Sequence, residues 1–429
     1  MKKLLIALSV VAVLAAGVFG LYVHSDYSFS FIETYKKNFA DNILNLKIKY
    51  ELKKAQKEEE SVAEAEPEPE EVINEEEIIT TEEPTDEPEK ESIKISYTDL
   101  VKEFVTTGEP IALNGAQSAR FENYMSGMLC VVENSVICYN KNAKAEWNIS
   151  IQMSNPVLKV NGSYYLLFEQ NGTKVALFSG KKQLFLIETK EKILTGDLSS
   201  NGDCAILTEK MYYKGAVEVY NKSGLEIYSR SFGKNSPMAV AISDSRRLCV
   251  SLLSMEGGVS SKIMFLDLNK KEENLAVSYD NSVIFDLEFS GNVLHAFADD
   301  KLVGINDNGK QIWKYDYKEK TLSKYANDGS NIRLMLFDAN NSAELSVVTA
   351  SGKEKQRIRE DIAPDFCDIS NGYILYNGGR SLYLTKSNGT PLAKFVASRD
   401  MKKAYFIDSD NILVVYGSSI EFLHIEKGE

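Results

Sequence analysis

The sequence predicts an all-β fold, an eight-bladed β-propeller, with seven blades as the alternative. A single transmembrane helix and an acidic linker are expected to precede it. Three observations predict this. A turn signal recurs from Asn140 to the end of the chain at intervals of 37 to 47 residues, about 41 on average. Short β-type runs bounded by Gly, Asn and Ser fill each interval, such as 164–168, 248–253, 332–337 and 412–416, without long amphipathic helical stretches. Repeats of about 40–45 residues with room for four strands are the signature of propeller blades. Finally, the first 92 residues differ in composition from everything after them.

Residues 1–3 carry Lys2 and Lys3, expected on the cytoplasmic side. The run from Leu4 to Val23 (4–23) is uncharged, and twenty helical residues span a hydrocarbon core of about 30 Å. A cleaved signal peptide competes. Its apolar region is usually about 7–15 residues, whereas here Val18, Phe19 and Leu21 continue past Ala15-Ala16-Gly17. The reading is therefore an uncleaved signal-anchor: a single-pass plasma-membrane protein with the N-terminus cytoplasmic and the rest extracytoplasmic. Residues 24–57 read as a juxtamembrane amphipathic helix, with Ile32, Tyr35, Phe39, Ile43, Leu46 and Tyr50 three or four apart.

Residues 58–92 read as a disordered linker. The stretch 58–91 holds 17 acidic residues and one Lys, and 58–92 holds four of the nine prolines and no aromatic residue. Such a segment buries too little apolar surface to offset its chain entropy, and like charges extend it. It also accounts for the net charge of −13: the remainder of the chain sits near +3. A folded part so close to neutral, without a basic stripe, argues against nucleic acid as a partner.

The region 93–429 is the propeller. Its repeat turn is clearest at Asn221-Lys222-Ser223-Gly224, and the position before the outermost run of each unit falls at Ala143, Gly180, Gly224, about Lys271, Gly309, Gly352, Gly389 and Gly428. An aromatic residue follows four places later in three units: Trp147, Tyr228 and Trp313. The eighth unit ends after three strands, at Lys427-Gly428. An open edge there would invite aggregation, so a strand from the N-terminal side should close the ring. Pro110 to Asn114 is the expected closing strand, with Tyr97 to Val105 a short helix or strand leading in.

The run Leu302-Val303-Gly304-Ile305-Asn306-Asp307-Asn308-Gly309-Lys310-Gln311-Ile312-Trp313 resembles the repeat of quinoprotein-type (PQQ-like) propellers, and Ala216 to Tyr228 fits with Tyr in place of Trp. The WD40-like layout of anchor, acidic linker and external propeller also resembles a family of uncharacterised bacterial proteins, mostly Gram-positive. The resemblance implies the fold and an extracytoplasmic place. At fold level it extends to outer-membrane assembly scaffolds built from the same repeat. It does not carry a cofactor over: quinone enzymes clamp their cofactor with aromatic stacking and a carboxylate-ligated calcium ion, and both Trp residues here are spent on the repeat.

Other chemistry fares no better. Asp307-Asn308-Gly309 approaches a sialidase box, but its Trp falls one place late. Asp408-Ser409-Asp410-Asn411 lacks the Gly and distal Glu of a calcium loop. The three histidines are scattered, and His295 and His424 read as structural residues within strands. Five cysteines are few and odd in number, which excludes a disulfide framework. Cys130 and Cys138 flank Asn134 symmetrically, so a hairpin centred there would allow a cross-strand disulfide, against the bland reading of two buried thiols. No catalytic, cofactor or metal residues are assigned. The expected function is a non-enzymatic binding or scaffold module for a protein or cell-envelope partner. The alternative is a propeller enzyme or small-ligand sensor using the central channel.

Overall fold

The computed structural model describes residues 95–428 apart from 99, 271–273, 341 and 360–363. The anchor at 4–23, the helix at 24–57, the linker at 58–92 and the turn near Lys271 lie outside the described residues. Among the described residues, no helix is long and apolar enough to cross a membrane.

Eight antiparallel sheets follow one another along the chain. They are blade 1 (residues 120–150), blade 2 (156–188), blade 3 (193–232), blade 4 (236–280), blade 5 (284–316), blade 6 (321–359), blade 7 (367–396) and blade 8 (403–427 with 102–106). In each, the first strand lies innermost and the last outermost. Eight apolar clusters fill the eight joints between neighbours, the last joining Phe121 and Met128 of blade 1 to Leu413 and Phe422 of blade 8. The ring is therefore closed, and each middle strand is buried on both faces: Gly127–Val132, Cys204–Thr208 and Asn411–Val415 are buried throughout.

The recurring turn has one local cause. The Asn221 carbonyl accepts from the Gly224 amide at 2.8 Å, and the Asn221 amide donates to Leu225 O at 3.0 Å. The Asn221 carboxamide oxygen also accepts from the Ser223 and Leu225 amides, at 2.9 and 3.1 Å. Asn306 and Asn140 repeat this pattern. The chain then needs a left-handed residue, which Gly224 (φ +79°), Gly309 (+72°), Gly352 (+83°), Gly389 (+85°) and Ala143 (+62°) supply. Five of these hairpins slip register by one residue beside the turn, as a type I turn with a glycine bulge requires. Gly180 (φ +56°) stands in a shorter turn, between Ser179 and Lys182.

The closing strand corrects the expected position. The main closure is Lys102–Thr106, paired with the last strand from Lys427 back to Leu423. Only Ile111 and Ala112 of the expected segment pair, with Ile420 and Ser419. The last strand, Ser419–Lys427, is nine residues long, more than 110–114 could cover. Pro110 has no amide to donate, and Gly108 (φ +76°) turns the chain, so the edge is paired in two pieces. Gly428 forms no turn; its amide donates to Val101 O at 2.9 Å, joining the two ends of the propeller.

The Cys130–Cys138 pairing is also corrected. The hairpin turns at Glu133-Asn134, with Val132 opposite Ser135, so Cys130 faces Ile137 and Cys138 faces Leu129. The two free thiols point to opposite sides of blade 1, into the joints with blades 8 and 2 respectively.

Candidate functional site

The strand order gives the ring two unlike faces. The first-to-second and third-to-fourth strand turns, including every Asn-Gly turn above, lie on one side, here the turn face. The second-to-third strand loops and the crossings between blades lie on the other, the loop face. Lys102–Thr106 runs antiparallel to the last strand and meets its C-terminal end first, so the chain enters on the turn face.

Three of the repeat glycines pack against the preceding blade. A Cβ on Gly224 would stand 2.9 Å from Phe185 of blade 2, one on Gly309 2.4 Å from Leu275 of blade 4, and one on Gly352 2.6 Å from Trp313 of blade 5. The outermost strand of each of these blades thus packs its apolar residue under the glycine turn of the next. Trp313 also covers Gly304 in its own blade and is buried in the joint of blades 5 and 6. Trp147 and Tyr228 are half-buried against the joints of blades 1–2 and 3–4. His295 is buried beside Trp313, its ring 5.5 Å away, and burial holds its pKa below the ordinary histidine value. His424 is tied to Asn411 at 2.9 Å. The Asp408 carboxylate accepts from the Asp410 and Asn411 amides and so caps a turn.

The channel carries charges that the sequence did not single out. The innermost strands bring Glu122, Lys159, Asp197, Asp286, Glu288, Asp368 and Lys403 around one axis. Most of the carboxylates clip neighbouring blades together. Asp197 of blade 3 accepts from the Ile242 amide of blade 4 at 2.9 Å, and Asp368 of blade 7 from the Phe406 amide of blade 8 at 2.8 Å. Asp286 and Glu288 of blade 5 share the Tyr325 hydroxyl of blade 6, at 2.5 and 2.9 Å. Burial pushes the Asp197 and Asp368 carboxyls up to about 6, against the lowering effect of their backbone hydrogen bonds.

The Glu122 and Lys159 side chains make no hydrogen bond or ion pair with a described residue. Water reaches Glu122 along the channel, yet the surrounding wall desolvates it and pushes its carboxyl up to about 7; Lys159 lowers it, and Asp368 and Glu288 raise it. Burial alone would lower the Lys159 pKa, but Asp286, Asp197, Glu288 and Glu122 hold it above the ordinary lysine value. Four thiols are held protonated by burial. Burial pushes the Cys130, Cys204 and Cys249 thiols well up and Cys138 up to about 11. Among the described residues, no three His, Cys, Asp or Glu side chains are arranged to hold a metal ion.

The loop face carries an apolar projection. In most blades the second-to-third strand loop is short, as at Glu133-Asn134, Gly379-Arg380 and Gly417-Ser418. In blade 3 it runs through Lys210-Met211-Tyr212-Tyr213-Lys214, with Met211, Tyr212 and Tyr213 64%, 95% and 51% exposed. Tyr212 sits at φ +66°, a conformation costing a bulky residue roughly 1–2 kcal/mol. In blade 4, Met255 is also exposed. Between the two loops lies a groove of about 230 Å³ lined by Phe232, Leu252 and Met264 and by Arg230, Lys234 and Lys262, without a carboxylate. The Lys214 amide donates to Phe232 O at 2.7 Å, joining the projection to the groove. The signal available in sequence was Met-Tyr-Tyr between lysines where turn residues were due.

Solved structures share this architecture. The C-terminal WD40 domain of Sif2 aligns with a TM-score of 0.54 and 12% identity, over 76% of this chain and 99% of that one. BamB from Moraxella catarrhalis aligns at 0.49 with 11% identity, covering 75% and 97%. Streptogramin B lyase aligns at 0.41 with 14% identity, covering 63% and 93%. At such identities the likeness concerns the fold alone. No curated protein matches the chain. The family of unknown function DUF5711 matches residues 105–425, from the closing strand to the last strand of the ring, and the chain belongs to that family.

Proposed function

We propose that the protein is a membrane-anchored extracytoplasmic propeller that acts as a non-enzymatic binding or scaffold module, taking a protein or cell-envelope partner on its loop face. One observation carries this reading: the projection Met211-Tyr212-Tyr213, with Tyr212 95% exposed in a costly left-handed conformation. Backbone strain and exposed aromatic area together cost stability and solubility unless a partner covers them. Tyr and Met are favoured anchors at interfaces, and the adjoining cationic groove suits an acidic rim on the partner. The uncharged run from Leu4 to Val23 supports the anchor, and the entry of the chain on the turn face supports a loop face directed away from the membrane.

A photo-crosslinking residue at position 212 in intact cells should give a discrete adduct that the same residue at Leu186, exposed on the outer strand of blade 2, does not. Equal adducts, or none, at 212 would sink the reading. Protease added outside intact cells should remove the propeller; protection would reverse the orientation. The second reading, a small ligand in the channel, is favoured by Glu122 and Lys159, which face one another's charge without a direct bond.

A further inference from the structure

Ile95 and Tyr97, at the start of the described chain, pack in the joint between blades 6 and 7. Tyr97 stacks on Tyr383 with ring centroids 4.3 Å apart, and its hydroxyl hydrogen-bonds with that of Tyr376. The Lys394 ammonium lies 5.5 Å from the centre of the Tyr383 ring. At the turn-face end of the same joint is a groove of about 480 Å³. Lys355 of blade 6 and Asn371, Gly372, Tyr373, Lys386, Ser387 and Asn388 of blade 7 line it. No carboxylate is among them, although the Asp328 carboxylate of blade 6 accepts from the Gly372 amide at 3.2 Å and the Lys355 ammonium donates to Asn331 Oδ1 at 2.5 Å. Lys102, where the chain enters the ring, lies over Tyr373 at 5.3 Å.

We propose that this groove is the docking site of the chain's own acidic linker, occupied by the run 82–91 (Glu-Glu-Pro-Thr-Asp-Glu-Pro-Glu-Lys-Glu). Three observations favour that occupant. The groove is cationic and the run is acidic. The run ends four residues before Ile95, a reach of about 14 Å at about 3.4 Å per residue, from the joint whose turn-face end the groove occupies. A spacer this short holds the run at roughly millimolar effective concentration, enough for pairs that are individually weak. The prolines at 84 and 88 disfavour a helix or a central strand, so the run can offer its carboxylates to Lys355 and Lys386 without secondary structure of its own. The cationic groove at Arg230, Lys234 and Lys262 is the rival seat, but it lies on the other face, across the ring from the chain's entry.

Zero-length carbodiimide coupling of the detergent-solubilised full-length chain tests this, since it joins only carboxylates and amines already in contact. Mass spectrometry of the monomer should find acidic residues of 82–91 linked to Lys355 and Lys386. Yield should fall several-fold in about 0.5 M salt, where the screening length shrinks to about 4 Å. The K355E/K386E variant, checked for an unchanged thermal midpoint, should lose these links. Links to Lys234 or Lys262 instead would overturn the proposal. So would links confined to a dimer band, a yield no higher than at exposed Lys181 and Lys182, or links that survive high salt undiminished.

Discussion

Gly352 shows how one backbone position serves two purposes. Its φ of +83° needs a residue without a Cβ penalty, and the space a Cβ would take is filled by the Trp313 ring. Gly352→Ala should therefore cost about 2–3 kcal/mol, left-handed strain and overpacking together, measured by chemical denaturation. Gly180→Ala has similar strain but nothing within 4 Å of the new Cβ, and should cost only about 1–2 kcal/mol. Equal losses would detach the glycine rule from the joint between blades. A second prediction concerns Glu122. Its folded pKa of about 7 lies above the 4.5 of an ordinary glutamate, so the folded state binds the extra proton between those values. Stability should rise as pH falls from 8 toward 6, and Glu122→Gln should flatten that rise. His295 acts oppositely: its lowered pKa makes protonation favour unfolding, so below the ordinary histidine value of 6.5 it should offset part of the gain from the carboxyls. A Glu122→Gln protein with the wild-type pH profile would show that another group, Asp197 or Asp368 foremost, sets it.

At the level of elements, the number of blades and the missing fourth strand were legible because turn chemistry is local. Asn followed three places later by Gly marks a hairpin wherever it occurs, and counting the hairpins gave the ring. The identity of the closing strand was not legible. It depends on the length of a partner strand some three hundred residues away and on which of two short segments meets each half of it. The Cys130–Cys138 pairing failed for a related reason: a one-residue change of cross-strand register sends a side chain to the other face of a strand. The closure predicts a result. Because Gly428 already touches Val101, a circular permutant that moves 95–114 behind Gly428 through a short Gly/Ser linker should fold with a near-native thermal midpoint. Deleting 102–106 should instead lower the midpoint sharply, and a deletion variant as stable as the parent would refute closure by that strand.

Taken whole, the molecule places its irregularities where the repeat does not need them. The joints between blades were readable as alternating apolar strands. The charged channel was not, because Glu122, Lys159 and Asp368 are isolated polar residues in strands that come together only once the ring closes. The loop-face projection was present as three consecutive large residues, but nothing local told which end of the strands it would occupy. The thiols offer a test of the whole packing. Cys130, Cys138, Cys204 and Cys249 are buried and Cys367 half-buried, so a thiol reagent at pH 8 should label Cys367 first and the others only after denaturation. Rapid labelling of all five in the native protein would contradict eight tight joints.

Closure by Lys102–Thr106 also sets an order of events during synthesis. This strand is among the first parts of the propeller to leave the ribosome, and its partner, Ser419–Lys427, is the last. Until Ser419–Lys427 is synthesised, blade 8 lacks its third strand and the early strand has no ladder to join. The nascent chain therefore carries an unsatisfied edge for nearly the whole of its elongation, a hazard that a chaperone or a slow, C-terminally triggered final folding step would have to manage.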